Sequence, residues 1–448
     1  MSDLLSIGAS GVRAYQTALS TVSENIANTG TAGYTRRTTT LAEVSSISGG
    51  INGRSASNGS GVMIAGIARS ADAYRSQAVR SAGTDLAKTE TGITWMNRIE
   101  SSLTDNKLGD RLTSFFGSAQ TLSADPTSVP ARAVMLESAG AAAAAFAATG
   151  KALDGAATEL DSSATQAVQS LNSLGTALAK VNDGLARAQT GSSSAAQLAD
   201  QRDQLLDQMS TLTDVNTAFD ELGRATVRLG GASGTVFVAG NDSGQANFAR
   251  NQDGAVQFTV TRAGVTSDLA PTGGALAGMA DGALRITAAR QSLNTIASDF
   301  TSMVNGVQAQ GRDLDGKAGT ALFATGTSAT DITVSLTDPR GIAAAGATGG
   351  PRDASNLTAL QAVRTSGGFE TKTTNLIAGN AAALEQRKTV ADAQGAIRDG
   401  AVNALASASG VDLDSEAVDL LRFQQAYQAS SRVIQTARDT FQTILDLR

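Results

Sequence analysis

Two apolar ladders with strict seven-residue spacing mark the C-terminal stretch of the chain, from Gly410 to Arg448. In an α-helix such spacing places residues along one narrow stripe, which is typical of a helix that packs against another helix. Asp412 or Asp414 is positioned to cap the first turn, because an aspartate side chain accepts hydrogen bonds from free backbone N–H groups. The two ladders are Leu420, Tyr427, Ile434 and Phe441, and Phe423, Ser430, Ala437 and Ile444. The pattern therefore predicts a helix that needs a partner along its length.

The N-terminal stretch carries a similar pattern over residues 3–28. Its ladders are Leu5, Val12, Leu19 and Ile26, and Gly8, Tyr15 and Val22. Periodicity alone leaves an alternative open, in which each helix lies separately on its own core. Because both stripes are narrow and lie at the two ends of the chain, we predict that the terminal helices pair as a coiled coil, within one chain or between neighbouring chains. These residues, apart from Gly8 and Ser430, form the predicted assembly seam.

The interior of the chain is predicted to be mainly helical, with a β insertion. Helical periodicity runs from Asp72 to about residue 212 and returns after about residue 276, whereas short Val-, Thr- and Phe-rich segments separated by glycines fill the region between. We expect terminal coiled-coil helices over 1–33 and 409–448, a long-helix rod over 34–214 and 276–408, and a small projecting β-domain over 215–275. Short strands flank a glycine- and serine-rich loop at 48–60.

Composition excludes several classes of function. The 448 residues contain no His and no Cys, which removes zinc sites, Ser-His-Asp sites, Cys-His sites and disulfides. There are 35 Lys+Arg against 41 Asp+Glu and no basic block, so a nucleic-acid partner is not expected. Aromatic residues make up 4% of the chain, which predicts closely packed helices with little aromatic core. No cleaved signal peptide and no membrane-spanning window are expected.

Few residues qualify as a chemical site. Asp313-Leu-Asp-Gly316 resembles the start of a calcium loop, but the later ligands are missing, so a solvated turn is favoured. Asp412 and Asp414 are interpreted as helix caps, and the basic pair Arg36-Arg37 is interpreted as solvated. The sequence therefore predicts no enzyme, no catalytic, cofactor-binding or metal-binding residue, and no cofactor.

Two terminal motifs resemble a known family. The stretch Ser23-Glu-Asn-Ile-Ala-Asn-Thr-Gly-Thr-Ala-Gly33-Tyr-Thr-Arg-Arg37 is similar to the N-terminal signature of bacterial flagellar rod, hook and hook-associated axial proteins. The stretch from Ser409 to Ser430 is similar to their C-terminal signature, and the stretches 61–72, 200–207 and 273–278 also resemble the hook-associated members. The family-motif residues are Asn25, Ile26, Ala27, Asn28, Gly33, Tyr34, Thr35 and Arg36.

The resemblance implies a structural, non-enzymatic subunit of the flagellum that serves motility. Such a subunit would be secreted through the flagellar type III export apparatus without a cleaved signal peptide, and would form a ring with copies of itself at the junction between hook and filament. Its partners would be the hook protein below, the second junction protein above, and a flagellar export chaperone that binds the C-terminal region. Neither nucleic acid nor membrane insertion is implied.

Two alternatives stay open at this point. A related axial protein of the hook, the distal rod or the second junction layer shares the N-terminal motif. A helical dimerisation or signalling module would explain the heptads but not the motifs. In either axial case, we expect the terminal helices to be marginally stable alone and to gain order on assembly, because ordering a long helix costs backbone entropy that one stripe of contacts offsets only in part.

Overall fold

A computed structural model describes residues 2–44 and 61–446 of the chain. The predicted loop 48–60 lies outside the described residues. The helices are α1 (Ser2–Ala27), α2 (Ala73–Thr104), α3 (Leu108–Ala124), α4 (Val129–Arg187), α5 (Ser193–Leu212), α6 (Gly274–Gln310), α7 (Ser355–Gly367), α8 (Phe369–Ser409) and α9 (Leu413–Asp446), with a 3-10 turn at Pro339–Gly341. The strands are β1 (Arg37–Glu43), β2 (Val62–Arg69), β3 (Val215–Phe219), β4 (Ala225–Leu229), β5 (Thr235–Ala239), β6 (Asp242–Ser243), β7 (Gln245–Arg250), β8 (Val256–Arg262), β9 (Val265–Leu269), β10 (Phe323–Thr325) and β11 (Ile332–Val334). The mainly helical class with a β insertion is confirmed.

Helix starts follow local capping chemistry. The side chain of Asp72 accepts a hydrogen bond from the backbone N–H of Arg75 at the start of α2. Ser128 caps α4 in the same way, and Pro130 stands in its first turn, where a missing N–H costs nothing. Asp72 is the position from which the sequence predicts helical periodicity.

The strands form small antiparallel sheets. β1 and β2 make a two-stranded ribbon, β3–β6 and β7–β9 make sheets in sequence order, and β10 pairs with β11. The strands between Val215 and Leu269 pack along the C-terminal half of α4. Phe237 of β5 is fully buried there, and a Cβ at Gly175 of α4 would lie 2.6 Å from its ring. The insertion therefore shares its core with the helical body.

A cluster of phenylalanines forms the centre of the helical body. Phe300 of α6 lies within 5.1–6.2 Å, between ring centroids, of five other rings. The cluster consists of Phe115, Phe116, Phe146, Phe300, Phe323 and Phe369, all buried. The expectation of little aromatic core is wrong, because six of the chain's 12 phenylalanines, from elements distant in sequence, pack together in one cluster.

The alanine-rich helix α4 corrects a second expectation. By length and composition it is apolar enough to cross a membrane, and it is the one helix of the described residues that meets this test. Core helices of soluble proteins meet it as well, and α4 contributes buried residues to the core from Met135 to Leu185. The run of alanines gives α4 a mean hydropathy as high as that of a membrane span. In this fold the small alanine side chains let neighbouring helices pack close to α4.

Candidate assembly site: the terminal hairpin

The two terminal helices pair with each other in an antiparallel hairpin. Gly8 of α1 faces Ile434 of α9, and a Cβ placed on Gly8 would lie 2.7 Å from the Ile434 Cγ1 atom. A Cβ on Gly11 would lie 2.6 Å from the Ser430 Oγ atom. These glycines let the two backbones approach closely, so the hairpin is narrower than a leucine-packed pair would be.

The predicted seam residues occupy three environments. Val22 and Ala437 are buried, and the rings of Tyr15 and Phe423 lie 6.4 Å apart. Half-buried positions at the sides of the contact are Val12, Tyr15, Leu19, Leu420, Phe423, Tyr427 and Ile434. Exposed positions are Leu5, Ile26, Phe441 and Ile444.

The buried face of α1 coincides with the predicted ladders only at Gly8 and Val22. Its residues are Gly8, Gly11, Ala14, Ala18, Thr21, Val22 and Asn25, and they lie against both α9 and the ribbon of β1 and β2. Gly11, Ala18 and Asn25 are also seven residues apart, so a second heptad of small residues runs beside the leucines. Because small side chains fill the centre, the larger Leu5, Val12 and Leu19 lie at its edges.

Asn25 closes the base of the hairpin with a complete set of hydrogen bonds. Its Nδ2 donates to the Arg37 backbone oxygen at 2.8 Å and to Glu416 Oε2 at 3.0 Å. Its Oδ1 accepts from the Arg37 backbone N–H at 3.0 Å and from the Tyr34 hydroxyl at 2.9 Å. The side chain is fully buried, so each of these bonds replaces one that water would otherwise make.

The other motif residues shape the turn after α1. Asn28 donates through Nδ2 to the Glu24 backbone oxygen, and Gly33 adopts a φ of 76°, a left-handed conformation that glycine tolerates. Thr35 accepts a hydrogen bond from Arg69 at 3.3 Å. Ile26 and Ala27 are exposed and face away from this network.

Arg36 and Arg37 are engaged in ion pairs, which corrects the interpretation that they are solvated. Arg36 Nε lies 2.6 Å from Glu416 Oε1, whose side chain is fully buried. Arg37, itself 8% exposed, lies 3.0 Å from Asp200 of α5. Buried charges require such partners, because desolvating an unpaired one is costly.

Sequence reasoning missed the carboxylates that hold these arginines. Glu416 lies inside the C-terminal motif, and Asp200 and Asp203 lie inside the 200–207 stretch, so the signal was present in the same motifs. Their roles depend on contacts between residues hundreds of positions apart, which periodicity does not report. Asp412 does serve as a cap, since its Oδ1 accepts from the Ser415 N–H at 2.8 Å, and these hydrogen bonds lower its pKa.

Catalytic chemistry finds no support in the described residues. No group of three or more His, Cys, Asp or Glu side chains within 2–44 and 61–446 is arranged to hold a metal ion. The Asp313 carboxylate accepts from the backbone N–H groups of Asp315 and Lys317, and so stabilises a turn.

Burial raises the pKa of the Tyr34 phenol, against an opposing effect of Arg37. The neutral phenol donates a hydrogen bond to Asn25. The ordinary pKa of a tyrosine is 10.0, so just above this pH the folded chain still holds the proton while the unfolded chain releases it. The contribution of Tyr34 to hairpin stability is therefore present below pH 10 and lost as the pH rises through its folded pKa.

We expect the tyrosinate absorbance of the wild type minus that of Tyr34→Phe to titrate with a midpoint above 10.0. The Tyr15→Phe variant provides the matched control, since it also removes one tyrosine from the hairpin. A midpoint for Tyr34 at or below 10 would contradict the assigned hydrogen bond.

Comparison with known proteins gives two family matches, one of which covers the C-terminal motif. Residues 96–323 match the family described as the flagellar hook-associated protein FlgK helical domain, and residues 402–447 match the flagellar basal body rod FlgEFG protein C-terminal family. The chain is 37% identical over 138 residues to flagellar hook-associated protein 1 of Salmonella typhimurium and 33% identical to that of Escherichia coli. Each alignment covers 30% of this chain and 24% of the relative, so the chain matches about a quarter of the relatives' length.

A solved structure extends this similarity to the fold. The flagellar hook junction protein FlgK from Burkholderia pseudomallei superposes with a TM-score of 0.50 and 26% identity, over 56% of this chain and 47% of that one. Since the helical-domain match alone spans half of the 448 residues, the chain belongs to the flagellar hook-associated protein FlgK family.

Proposed function

We propose that the chain is a non-enzymatic axial subunit of the bacterial flagellum that forms, with copies of itself, a ring at the junction between hook and filament. The observation that carries this proposal is the match of residues 96–323 to the FlgK helical domain. The terminal hairpin supports it, because its contact face is built from both ends of the chain and lies outside the body. The seam residues would then serve contacts between subunits as well as within one.

The free end of the hairpin is the surface best suited to such contacts. Because Gly8 faces Ile434, the last turns of α9 lie opposite the start of α1 and extend past it. This leaves a group of apolar side chains between about one third and one half exposed, namely Leu4, Leu5, Phe441, Ile444 and Leu445. Contiguous exposed apolar residues at one end of a protein are typical of a contact site, here for a second copy of the chain.

The partners and the location follow from the family and are part of the proposal. The hook protein would lie below the ring and the second junction protein above it, outside the cell. Export would use the flagellar type III apparatus without a cleaved signal, with a chaperone bound to the C-terminal region, where α9 offers exposed apolar side chains. Nucleic acid and membrane insertion have no place in this scheme.

The terminal helices would gain order when the ring forms. Support comes from the core of the described residues, which extends in sequence from Trp95 to Phe369 and includes no residue of α1 or α9. The hairpin thus depends on its own small-residue contact and on polar bonds. Hydrogen exchange strongly slowed in residues 3–28 and 412–446 of the free monomer would contradict this part of the proposal.

Replacing Phe441 by aspartate should reduce assembly on the order of tenfold or more, because a charge would have to be buried at the subunit contact. Assembly would be measured by sedimentation of the purified chain with hook fragments. Val265→Asp places the same charge on an exposed valine of β9, away from the hairpin, and should assemble as the wild type does. Equal assembly of Phe441→Asp and wild type would exclude the hairpin end as a contact.

The C-terminal match to rod proteins favours one alternative, an axial subunit of the hook or distal rod. Labelling of the protein on intact flagella separates the two. Label at a single position between hook and filament supports the junction ring, whereas label along the hook or rod favours the alternative. A soluble dimer with no flagellar label would instead indicate a dimerisation module.

A further inference from the structure

The chain divides into two parts that meet at a polar contact. The terminal module comprises α1, β1, β2 and α9, and the body comprises α2–α8 with β3–β11. Within the described residues, the contiguous hydrophobic core belongs to the body alone. The apolar contacts of the module lie inside it, along the hairpin and the ribbon. Relative orientation of the two parts therefore depends on other interactions.

One carboxylate stands at the centre of that contact. Asp200 of α5 lies 3.0 Å from Arg37 of β1 and 2.8 Å from Arg69 of β2, so a body side chain joins both strands of the ribbon. Asp203, one turn further along α5, lies 2.7 Å from Arg69. The side chain of Asp200 is 9% exposed, and the side chains of its partners Arg37 and Arg69 are 8% and 12% exposed.

The other contacts across the joint include a hydrogen bond from Gln204 Nε2 of α5 to the Ala32 oxygen at 2.7 Å, two backbone hydrogen bonds and two short connections. The N–H of Ile67 donates to the Gly191 oxygen at 2.7 Å, and the N–H of Arg36 donates to the Ser409 oxygen at 2.9 Å. The chain itself crosses at residues 70–72 and again at 410–412. Two adjacent short connections define an axis but do not by themselves fix an angle.

Clefts on both sides leave room for movement about that axis. One cleft of about 620 Å³ lies between the turn after α1 and the start of α5, and its lining includes Arg37 and Asp200. A second cleft of about 300 Å³ lies against the end of α8, and its lining includes Arg69 and Asp203. Both are wide enough for water, which can solvate the ion pairs if the joint opens.

We infer that the joint is a hinge and that Asp200 is the latch that fixes the angle between the terminal module and the body. With the carboxylate in place, the two arginines of the ribbon are held against α5. Without it, each arginine loses its central partner, and the module swings about the two connections while both parts stay folded. Under the proposed junction function, such a hinge would let identical subunits adapt to neighbours of different geometry, but the hinge itself does not depend on that function.

The test is the neutralising substitution Asp200→Asn, read by single-molecule energy transfer. The chain has no natural cysteine, so Gln435→Cys on α9 and Gln291→Cys on α6 give clean labelling of the two parts at exposed positions. We expect the width of the transfer-efficiency distribution to increase about twofold, because the module takes up a wider range of angles. Exchange of the Ile67 and Arg36 amide hydrogens should become about tenfold faster, because their hydrogen bonds cross the joint and open when the module moves.

The matched control is Asp161→Asn. Asp161 of α4 pairs with Arg250 of β7 inside the body, so its loss removes an arginine–aspartate pair without touching the joint. The control should leave the distribution as narrow as in the wild type.

Two results would overturn the inference. A distribution for Asp200→Asn as narrow as that of the wild type would mean that the connections alone set the angle. A broad distribution accompanied by loss of helical circular dichroism would mean that Asp200 maintains folding and not orientation. Retained helix content with a broad distribution supports the latch, and Asp200→Glu should then restore a narrower one.

Discussion

Replacing Asn25 by alanine is expected to destabilise the terminal hairpin by about 3 kcal/mol or more, because a buried group left without its hydrogen bond costs about 1–3 kcal/mol. The substitution removes the partner of three groups at once, namely the Tyr34 hydroxyl and the N–H and C=O of Arg37. It also removes the hydrogen bond that Asn25 Nδ2 donates to the buried Glu416 carboxylate. No other side chain of similar size carries two donors and an acceptor with this geometry.

Hydrogen exchange of α1 and α9 is the measurement. A loss of about 3 kcal/mol corresponds to exchange on the order of a hundredfold faster in both helices, if local opening governs it. Asn28→Ala is the matched control, since that side chain makes its bonds within the turn after α1 and not to Glu416. Equal protection in Asn25→Ala and wild type would show that the hairpin does not depend on this base.

The geometry of Asn25 recurs elsewhere in the fold. Asn172 and Asn182 of α4 each bond both the N–H and the C=O of one strand residue, Ala246 and Ala225. Asn305 of α6 does the same with Phe323. In each case a helical amide takes the place of a neighbouring strand and satisfies the edge of a small sheet. Such edges otherwise leave backbone groups unpaired where a helix covers them.

The sequence predicts the helical framework well because local chemistry determines it. The caps of α2 and α4 act within a few residues, and the helical periodicity that begins at Asp72 and returns after about residue 276 indicates α2 and α6. The same rules predict that the two ends of the chain pair.

What the sequence does not predict depends on distant contacts. From the sequence of its own helix, Glu416 would be taken for a surface glutamate. It is fully buried because Arg36 and Asn25, which lie near the other end of the chain, bind its carboxylate. The small residues Gly8 and Gly11 give no hydropathy signal, although they lie directly against Ile434 and Ser430 of α9. Likewise, Asn182 has no local role on α4, since its partner Ala225 lies in the β insertion.

The second large expected effect is a loss of stability in the body when the phenylalanine cluster is disrupted. This effect should be confined to the body and should not involve the hairpin. Phe300 contacts five other rings at the centre of the body and is fully buried. Its replacement by alanine removes these contacts and leaves a cavity, for which the expected loss is about 3–5 kcal/mol in the free energy of unfolding. Urea unfolding followed by fluorescence reports it directly, because the single tryptophan, Trp95, is buried in the same core.

The two predictions should act on different parts of one molecule. Phe300→Ala should lower the urea midpoint seen by Trp95, whereas Asn25→Ala should leave that midpoint near the wild-type value while exchange in α1 and α9 accelerates. Phe441→Ala, at an exposed ring of α9, should change the midpoint by little, since surface substitutions typically cost within about 0.5 kcal/mol. If Asn25→Ala shifted the Trp95 transition as far as Phe300→Ala does, the hairpin and the body would unfold as one unit. The absence of α1 and α9 from the core argues that they do not, since the hairpin then opens at the cost of its own contacts alone.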